Sequence, residues 1–128
     1  MELVDLYPTL AELCNLPVPE GLEGTSFVPL LNDPDLPWKS AVFSEAKRNG
    51  AHGRTVRTAN YRYTEWSPLD GSGATQHELY DLASDPREFV NLAKSPEHAD
   101  IREHLSEKLR AGWRAALPAI GRETGDPN

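Results

Sequence analysis

The chain has 128 residues, which is enough for one domain of ordinary size. Thirteen Lys and Arg residues against 20 Asp and Glu residues give a net charge of −7, which argues against a broad basic face for nucleic acid. No apolar run approaches the roughly 20 residues of a membrane-spanning helix. The start of the chain also lacks the basic and apolar regions of a signal peptide. The single cysteine excludes an internal disulfide framework and any multi-cysteine metal site.

The first third of the chain is predicted to form one helix followed by a proline-rich loop. The helix has Asp5 as its N-cap, ends by Asn15 and turns an apolar stripe toward a core. Cys14 lies on that stripe and is predicted to be an inert core residue. Proline and glycine punctuate residues 15–38, so we predict a loop with one helical turn at 26–31. The stripe consists of Leu3, Leu6, Tyr7, Leu10, Leu13 and Cys14.

The middle of the chain is predicted to form an antiparallel sheet of about four strands. β-Branched and aromatic residues mark four segments, and Ala59-Asn60 is a plausible hairpin turn between two of them. Side chains alternate between the faces of a strand, so Tyr61 and Tyr63 share one face and Arg62 lies on the other. The predicted strands are residues 41–44, 55–58, 61–66 and 77–82.

A long amphipathic helix is predicted after the sheet. Ser95 and Pro96 have the residue types of an N-cap and a first helical position, and apolar residues follow at a spacing of four. We predict that the helix runs through Gly112 and ends at Pro118, followed by a disordered tail at 118–128. The fold class is therefore α+β: a small antiparallel sheet packed by a long C-terminal helix, preceded by one helix and a Pro-rich crossing segment.

One stretch of the acidic chain is basic. Residues 46–64 contain five Lys and Arg residues and no acid. Arginine offers a planar fork that matches carboxylate, phosphate or sulfate, so this stretch predicts a site for a small anionic ligand. The alternative is that these bases are solvated strand side chains. Phosphate-binding glycine loops, paired metal-binding histidines and nucleophile elbows are absent from the sequence. The candidate ligand-binding residues flank the turn Asn49-Gly50-Ala51 and are Lys47, Arg48, His52 and Arg54.

Three blocks of sequence resemble the sulfatase family. Residues 3–14 resemble a helix found late in sulfatases, and residues 24–31 are similar to the family's G-x-S-x-x-P-L-L segment. Residues 78–93 resemble its E-L-Y-D-L-x-x-D-P-x-E-x-x-N-L-A signature. Between them, residues 56–66 are similar to the iduronate-2-sulfatase branch. The chain is thus identified as resembling the C-terminal part of a sulfatase, with the alkaline-phosphatase-like fold that this implies.

The resemblance also implies how the chain divides into domains, and that it lacks the catalytic motif of the family. Residues 1–37 would be the last helix and crossing segment of the large sulfatase domain, and residues 38–117 its C-terminal subdomain. Sulfatases use calcium and a formylglycine made from a Cys/Ser-x-Pro-Ser-Arg motif, both in the N-terminal domain. Cys14 is followed by Asn15-Leu16-Pro17, which does not match that motif. The resemblance therefore implies that this chain holds no cofactor and is inactive alone.

In sulfatases the C-terminal subdomain packs against the catalytic domain and lines one wall of the substrate pocket. The resemblance therefore implies that Lys47, Arg48, His52 and Arg54 meet the sulfate or carboxylate of a uronic-acid sugar. Two other functions stay open: an independent module that binds anionic glycans through residues 47–54, and a subunit that docks a separate catalytic domain through residues 3–13. Family members usually act in the periplasm, outside the cell or in lysosomes, and the location of this chain stays open.

Overall fold

The computed structural model describes residues 1–118 and divides them into two compact units. Met1–Lys39 belong to one unit and Ser40–Ala116 form the other. Most of the predicted tail, residues 119–128, lies outside the described residues, and Pro118 is buried. No helix within residues 1–118 is long and apolar enough to cross a membrane.

The unit at the start of the chain contains two helices. A 3₁₀ turn at Leu3–Asp5 leads into helix α1, Leu6–Leu13, and helix α2 covers Val28–Asn32. Asp5 stands directly before α1 as predicted, but its carboxylate does not cap that helix. It accepts hydrogen bonds instead from the backbone N–H groups of Glu2 at 2.8 Å and Thr25 at 2.9 Å.

The predicted orientation of α1 is wrong. Its apolar stripe is exposed, and Cys14 is exposed with it, so Cys14 is not a core residue. The buried residues of the helix are Pro8, Thr9 and Ala11. The Thr9 hydroxyl explains this orientation, because it donates to Asp5 O at 2.6 Å and accepts from the Phe27 N–H at 3.0 Å. Hydrogen bonding to the later loop thus accompanies burial of the side of the helix that carries Thr9.

The second unit confirms the predicted four-stranded antiparallel sheet. Its strands are β1 (Val42–Arg48), β2 (Ala51–Arg57), β3 (Tyr61–Pro68) and β4 (Gln76–Asp81), and they pair in chain order. β1 and β2 are longer than predicted. They form a hairpin through the stretch expected to be a basic loop, joined by Asn49 and Gly50. Both turn residues have positive φ, of 49° and 75°, as a two-residue hairpin turn of type I′ requires.

The C-terminal helix packs on one face of the sheet, as predicted, but it is shorter. A 3₁₀ turn at Pro96–His98 leads into α3, Ala99–Ala111, and another 3₁₀ turn covers Trp113–Ala116. Gly112 ends α3, whereas the sequence pattern predicted that the helix would run through it. Its φ of 77° is incompatible with a continuing right-handed helix. The core between α3 and the sheet includes Val56, Tyr63, Leu79, Leu105 and Leu109.

Candidate functional site

The β1–β2 hairpin carries the four predicted ligand-binding residues, but it divides them between two faces of the sheet. Lys47 pairs with His52 across the hairpin, and Arg48 pairs with Ala51. Successive side chains point to opposite faces of a strand. Lys47, His52 and Arg54 therefore lie on the face that packs against α3, while Arg48 lies on the opposite face. The structure brings three of the four residues together and separates Arg48 from them.

Two of the three basic residues on the α3 face are paired with carboxylates. His52 Nε2 lies 3.0 Å from Glu45 Oε2, and Arg54 Nη2 lies 3.1 Å from Glu65 Oε2. Lys47 is exposed and forms no ion pair within residues 1–118. Lys47 and the exposed part of His52 are therefore the groups on this face that are most available to an anion.

Glu65 is the centre of a buried hydrogen-bond network between β3 and α3. Its Oε1 atom accepts hydrogen bonds from Tyr63 OH at 3.0 Å and from Ser106 Oγ at 2.7 Å. Burial disfavours the charged form, but the hydrogen bonds from Ser106, Tyr63 and Arg54 outweigh it and hold the pKa of the Glu65 carboxyl below its usual value. Glu65 is therefore a carboxylate at neutral pH, and it joins the helix to the sheet.

Tyr63 extends this network toward His77. The Tyr63 hydroxyl lies 2.8 Å from His77 Nδ1, and the two rings stack with their centroids 5.9 Å apart. Burial, together with the neighbouring Glu65 carboxylate, raises the pKa of Tyr63 to about 12. The hydroxyl therefore stays protonated at neutral pH and acts as a hydrogen-bond donor rather than as a nucleophile.

The face opposite α3 carries a feature that the sequence analysis missed. Trp66 pairs with Gly53 across β2 and β3, and a Cβ atom at position 53 would lie 2.6 Å from the indole ring. The ring therefore lies directly on the backbone of β2. A glycine inside a strand often marks such a close approach, and this signal was present in the sequence.

A shallow cleft of about 330 Å³ opens beside Trp66 on this face. Its polar lining residues come from the outer strands β1 and β4 and from the β1–β2 turn. They are Arg48, Asn49 and Gln76, which are exposed, and Glu78, which is half-buried. The cleft thus combines an aromatic face with a cation, amides and a carboxylate.

The residues of a sulfatase-type catalytic centre are not gathered in the part of the chain that the structure describes. Among residues 1–118, no group of three or more His, Cys, Asp or Glu side chains is placed to hold a metal ion. Cys14 lies at the C-terminal end of α1. It is not followed by the Pro-Ser-Arg sequence that formylglycine formation requires in the sulfatases that the chain resembles.

Comparison with known proteins shows similarity to one family over most of the chain. Residues 1–114 match the family described as N-sulphoglucosamine sulphohydrolase, C-terminal. The chain is 31% identical to arylsulfatase K of Rattus norvegicus over 121 residues, covering 87% of this chain and 20% of that protein. It is 38% identical to the Delta 4,5-hexuronate-2-O-sulfatase of Bacteroides thetaiotaomicron over 104 residues, covering 77% of this chain and 20% of that protein.

A solved structure has the same fold over most of this chain. That structure shows another protein in complex with its own substrate, D-glucosamine-2-N,6-O-disulfate. It superposes on this chain with a TM-score of 0.71 at 23% sequence identity. The match covers 84% of this chain and 22% of that one. The chain spans about a fifth of the length of the curated relatives that it matches.

Proposed function

Because the chain belongs to the C-terminal sulfatase domain family and has the fold of that part of the alkaline-phosphatase-like sulfatases, we propose that it completes the substrate pocket of a sulfatase. The reaction is the hydrolysis of sulfate esters on sulfated sugars, in the manner of iduronate-2-sulfatase. In this proposal a separate N-terminal catalytic domain supplies the formylglycine nucleophile and the calcium ion. This chain supplies one wall of the pocket and is inactive alone.

The observation that carries the proposal is the basic end of the β1–β2 hairpin. Lys47 lies exposed on β1 next to its turn, and His52 faces it on β2. Arg48 is exposed on the opposite face of the sheet and is not part of this wall. Arg54 contributes through the exposed part of its side chain, 42% of it, while its guanidinium also pairs with Glu65. Positive charge concentrated at one end of a sheet in an acidic chain is suited to a sulfate or carboxylate group.

The relatives support a sulfated sugar as the substrate class. One is described as acting on a 2-O-sulfated hexuronate, and the superposed structure holds a glucosamine disulfate as its substrate. A hexuronate carries a carboxylate in addition to its sulfate, so a wall with several separate cations can contact both groups. We therefore propose a sulfated uronic sugar as the preferred substrate of the complete enzyme.

The exposed apolar face of α1 supports docking to the catalytic domain. Leu3 is 85% exposed, and Leu6, Tyr7, Leu10 and Leu13 are exposed with it. Exposed apolar residues grouped on one helix are typical of a surface that another protein covers. The proposed occupant is the N-terminal sulfatase domain, because the relatives extend well beyond the matched region.

A domain exchange tests the proposal. The matched region of the Bacteroides hexuronate sulfatase is replaced with this chain, and sulfate release is measured from a 2-O-sulfated hexuronate disaccharide and from 4-nitrophenyl sulfate. We expect the chimera to hydrolyse both substrates. The Lys47→Ala and His52→Ala variants should lower kcat/KM for the disaccharide by about tenfold and leave the aryl sulfate unaffected, since the aryl sulfate lacks the uronic-acid carboxylate that these residues contact while the catalytic domain holds the reacting sulfate.

Arg87→Ala is the matched control, because Arg87 is an exposed base outside the hairpin. It should leave both activities unchanged. An inactive but folded chimera, or equal losses on both substrates in the hairpin variants, would contradict the pocket-wall role. Hydrolysis of the disaccharide by this chain alone would contradict the proposed division of labour.

A further inference from the structure

The cleft beside Trp66 has the construction of a small carbohydrate site. The indole ring is held flat against β2 because Gly53 has no side chain to displace it. Trp66 is half-buried, so part of the ring stays accessible. The negative face of an aromatic ring attracts the weakly positive C–H bonds on one face of a sugar ring. A fixed, partly exposed indole is therefore a preformed platform for a pyranose.

The polar side chains around the platform match the substituents of an acidic sugar. Arg48 is exposed and forms no ion pair within residues 1–118, so its guanidinium is available to a carboxylate or sulfate. Gln76 presents both a donor and an acceptor, and the Glu78 carboxylate accepts hydrogen bonds from hydroxyl groups.

The size of the cleft limits the ligand to a short segment. Its volume of about 330 Å³ lies at the lower end of the range of small-molecule sites, roughly 300–1,000 Å³. One sugar unit fits such a space, with the rest of a glycan chain extending into solvent through the open side.

We infer that this cleft binds one uronic-acid unit of a glycan, with the sugar ring stacked on Trp66 and the carboxylate held by Arg48. The hydroxyl groups contact Gln76 and Glu78. The inference rests on the proposed function for the class of ligand, whereas the position of the cleft and the residues that line it are independent of that proposal. It also goes further, because it assigns saccharide binding to this chain in the absence of any catalytic domain.

Titration of the full chain with a 2-O-sulfated hexuronate disaccharide, followed by NMR, tests the inference. The chain has three tryptophans, so its indole N–H signals are few and can be assigned by substitution. We expect saturable movement of the Trp66 signal, and maltose, which has no anionic group, should move it far less. Arg48→Ala should weaken binding by about tenfold, because a charge-assisted bidentate contact is lost. Gln76→Ala should also weaken it.

Arg114→Ala is the matched control, since Arg114 is an exposed arginine beside a tryptophan, 4.4 Å from the centre of the Trp113 ring, and does not line the cleft. Its affinity should equal that of the unchanged chain. An unmoved Trp66 signal in a folded chain, or unchanged affinity in Arg48→Ala, would overturn the inference. Such a result would leave the proposed function standing if the chimera hydrolyses the disaccharide. An inactive chimera, together with intact binding of the disaccharide by this chain, would contradict the proposed function and leave the inference standing.

Discussion

Ser106 on α3 donates a hydrogen bond of 2.7 Å to the buried carboxylate of Glu65 on β3. This contact joins the helix to the sheet within a core that is otherwise largely apolar. Arg110 donates in turn to Ser106 Oγ at 2.8 Å, so the network reaches from the sheet to the last turn of the helix. Because buried polar groups are costly when unpaired, the whole network depends on Glu65.

Removal of the Glu65 carboxylate should destabilise the Ser40–Ala116 unit. Glu65→Ala leaves the hydroxyls of Tyr63 and Ser106 without their shared acceptor, so we expect the free energy of unfolding to fall by about 2–3 kcal/mol. Chemical denaturation measures the change. Glu45→Ala is the control, because the Glu45 side chain is 67% exposed and a surface ion pair contributes less than about 1 kcal/mol. Equal effects of the two substitutions would contradict the role of the network.

The same network should make stability depend on pH in the acidic range. The pKa of Glu65 is held below its ordinary value of 4.5, so the folded chain binds fewer protons there than the unfolded chain. Its stabilising contribution is therefore complete above pH 4.5 and is lost as the pH falls through the lowered pKa of the folded state. Thermal unfolding between pH 7 and pH 3 measures this loss. Glu65→Gln should flatten the curve in the window below pH 4.5, and an unchanged slope would contradict the assignment.

The sheet and the C-terminal helix could be predicted from the sequence because their patterns agree with local propensity. The apolar spacing of four through Leu105 and Leu109 correctly identified the face of α3 that is buried. The end of α3 was missed because a glycine inside a helix costs only about 1 kcal/mol, so the sequence alone does not reveal that Gly112 adopts a positive φ.

The candidate site was harder to predict because its charges obscured the strands. Lys47 and Arg48 interrupt the apolar pattern of β1, so the pattern predicts a strand only at residues 41–44. The Asn49-Gly50 pair is a strong hairpin signal and would have revealed that neighbouring basic residues point to opposite faces. For α1, periodicity identified which residues share a face. It carried no information about whether that face is covered.

The close approach of Trp66 to Gly53 should make position 53 intolerant of any side chain. Gly53→Ala places a methyl group 2.6 Å from the ring, which must then move away from the strand. We expect a loss of about 1–3 kcal/mol in the free energy of unfolding, as for other overpacked sites. Saccharide binding at the cleft should be lost as well.

A double-mutant cycle separates this clash from a backbone effect. In a Trp66→Ala background, the ring is absent and Gly53→Ala should cost much less than in the unchanged chain. Equal costs in the two backgrounds would show that the ring is not the obstacle.

The Lys39 ammonium is the principal partner of the buried Asp5 carboxylate in the first unit. Lys39 Nζ lies 2.7 Å from Asp5 Oδ1, and their side chains are 2% and 0% exposed. Lys39→Met removes the cation and leaves a buried carboxylate that only backbone N–H groups contact, so we expect a loss of about 3–5 kcal/mol in the stability of this unit. Amide hydrogen exchange of α1, resolved residue by residue, measures it.

Replacement of both partners should restore much of that stability. Asp5→Asn combined with Lys39→Met removes both charges of the 2.7 Å pair, and the asparagine oxygen can still accept from the backbone N–H of Thr25. The Glu2 carboxylate, which lies 2.8 Å from Lys39 Nζ, keeps its charge in both variants. We therefore expect the double variant to protect α1 better than Lys39→Met alone. If the double variant were no better protected than Lys39→Met alone, the loss would come from packing of the lysine stem, which both variants lack, rather than from an uncompensated charge.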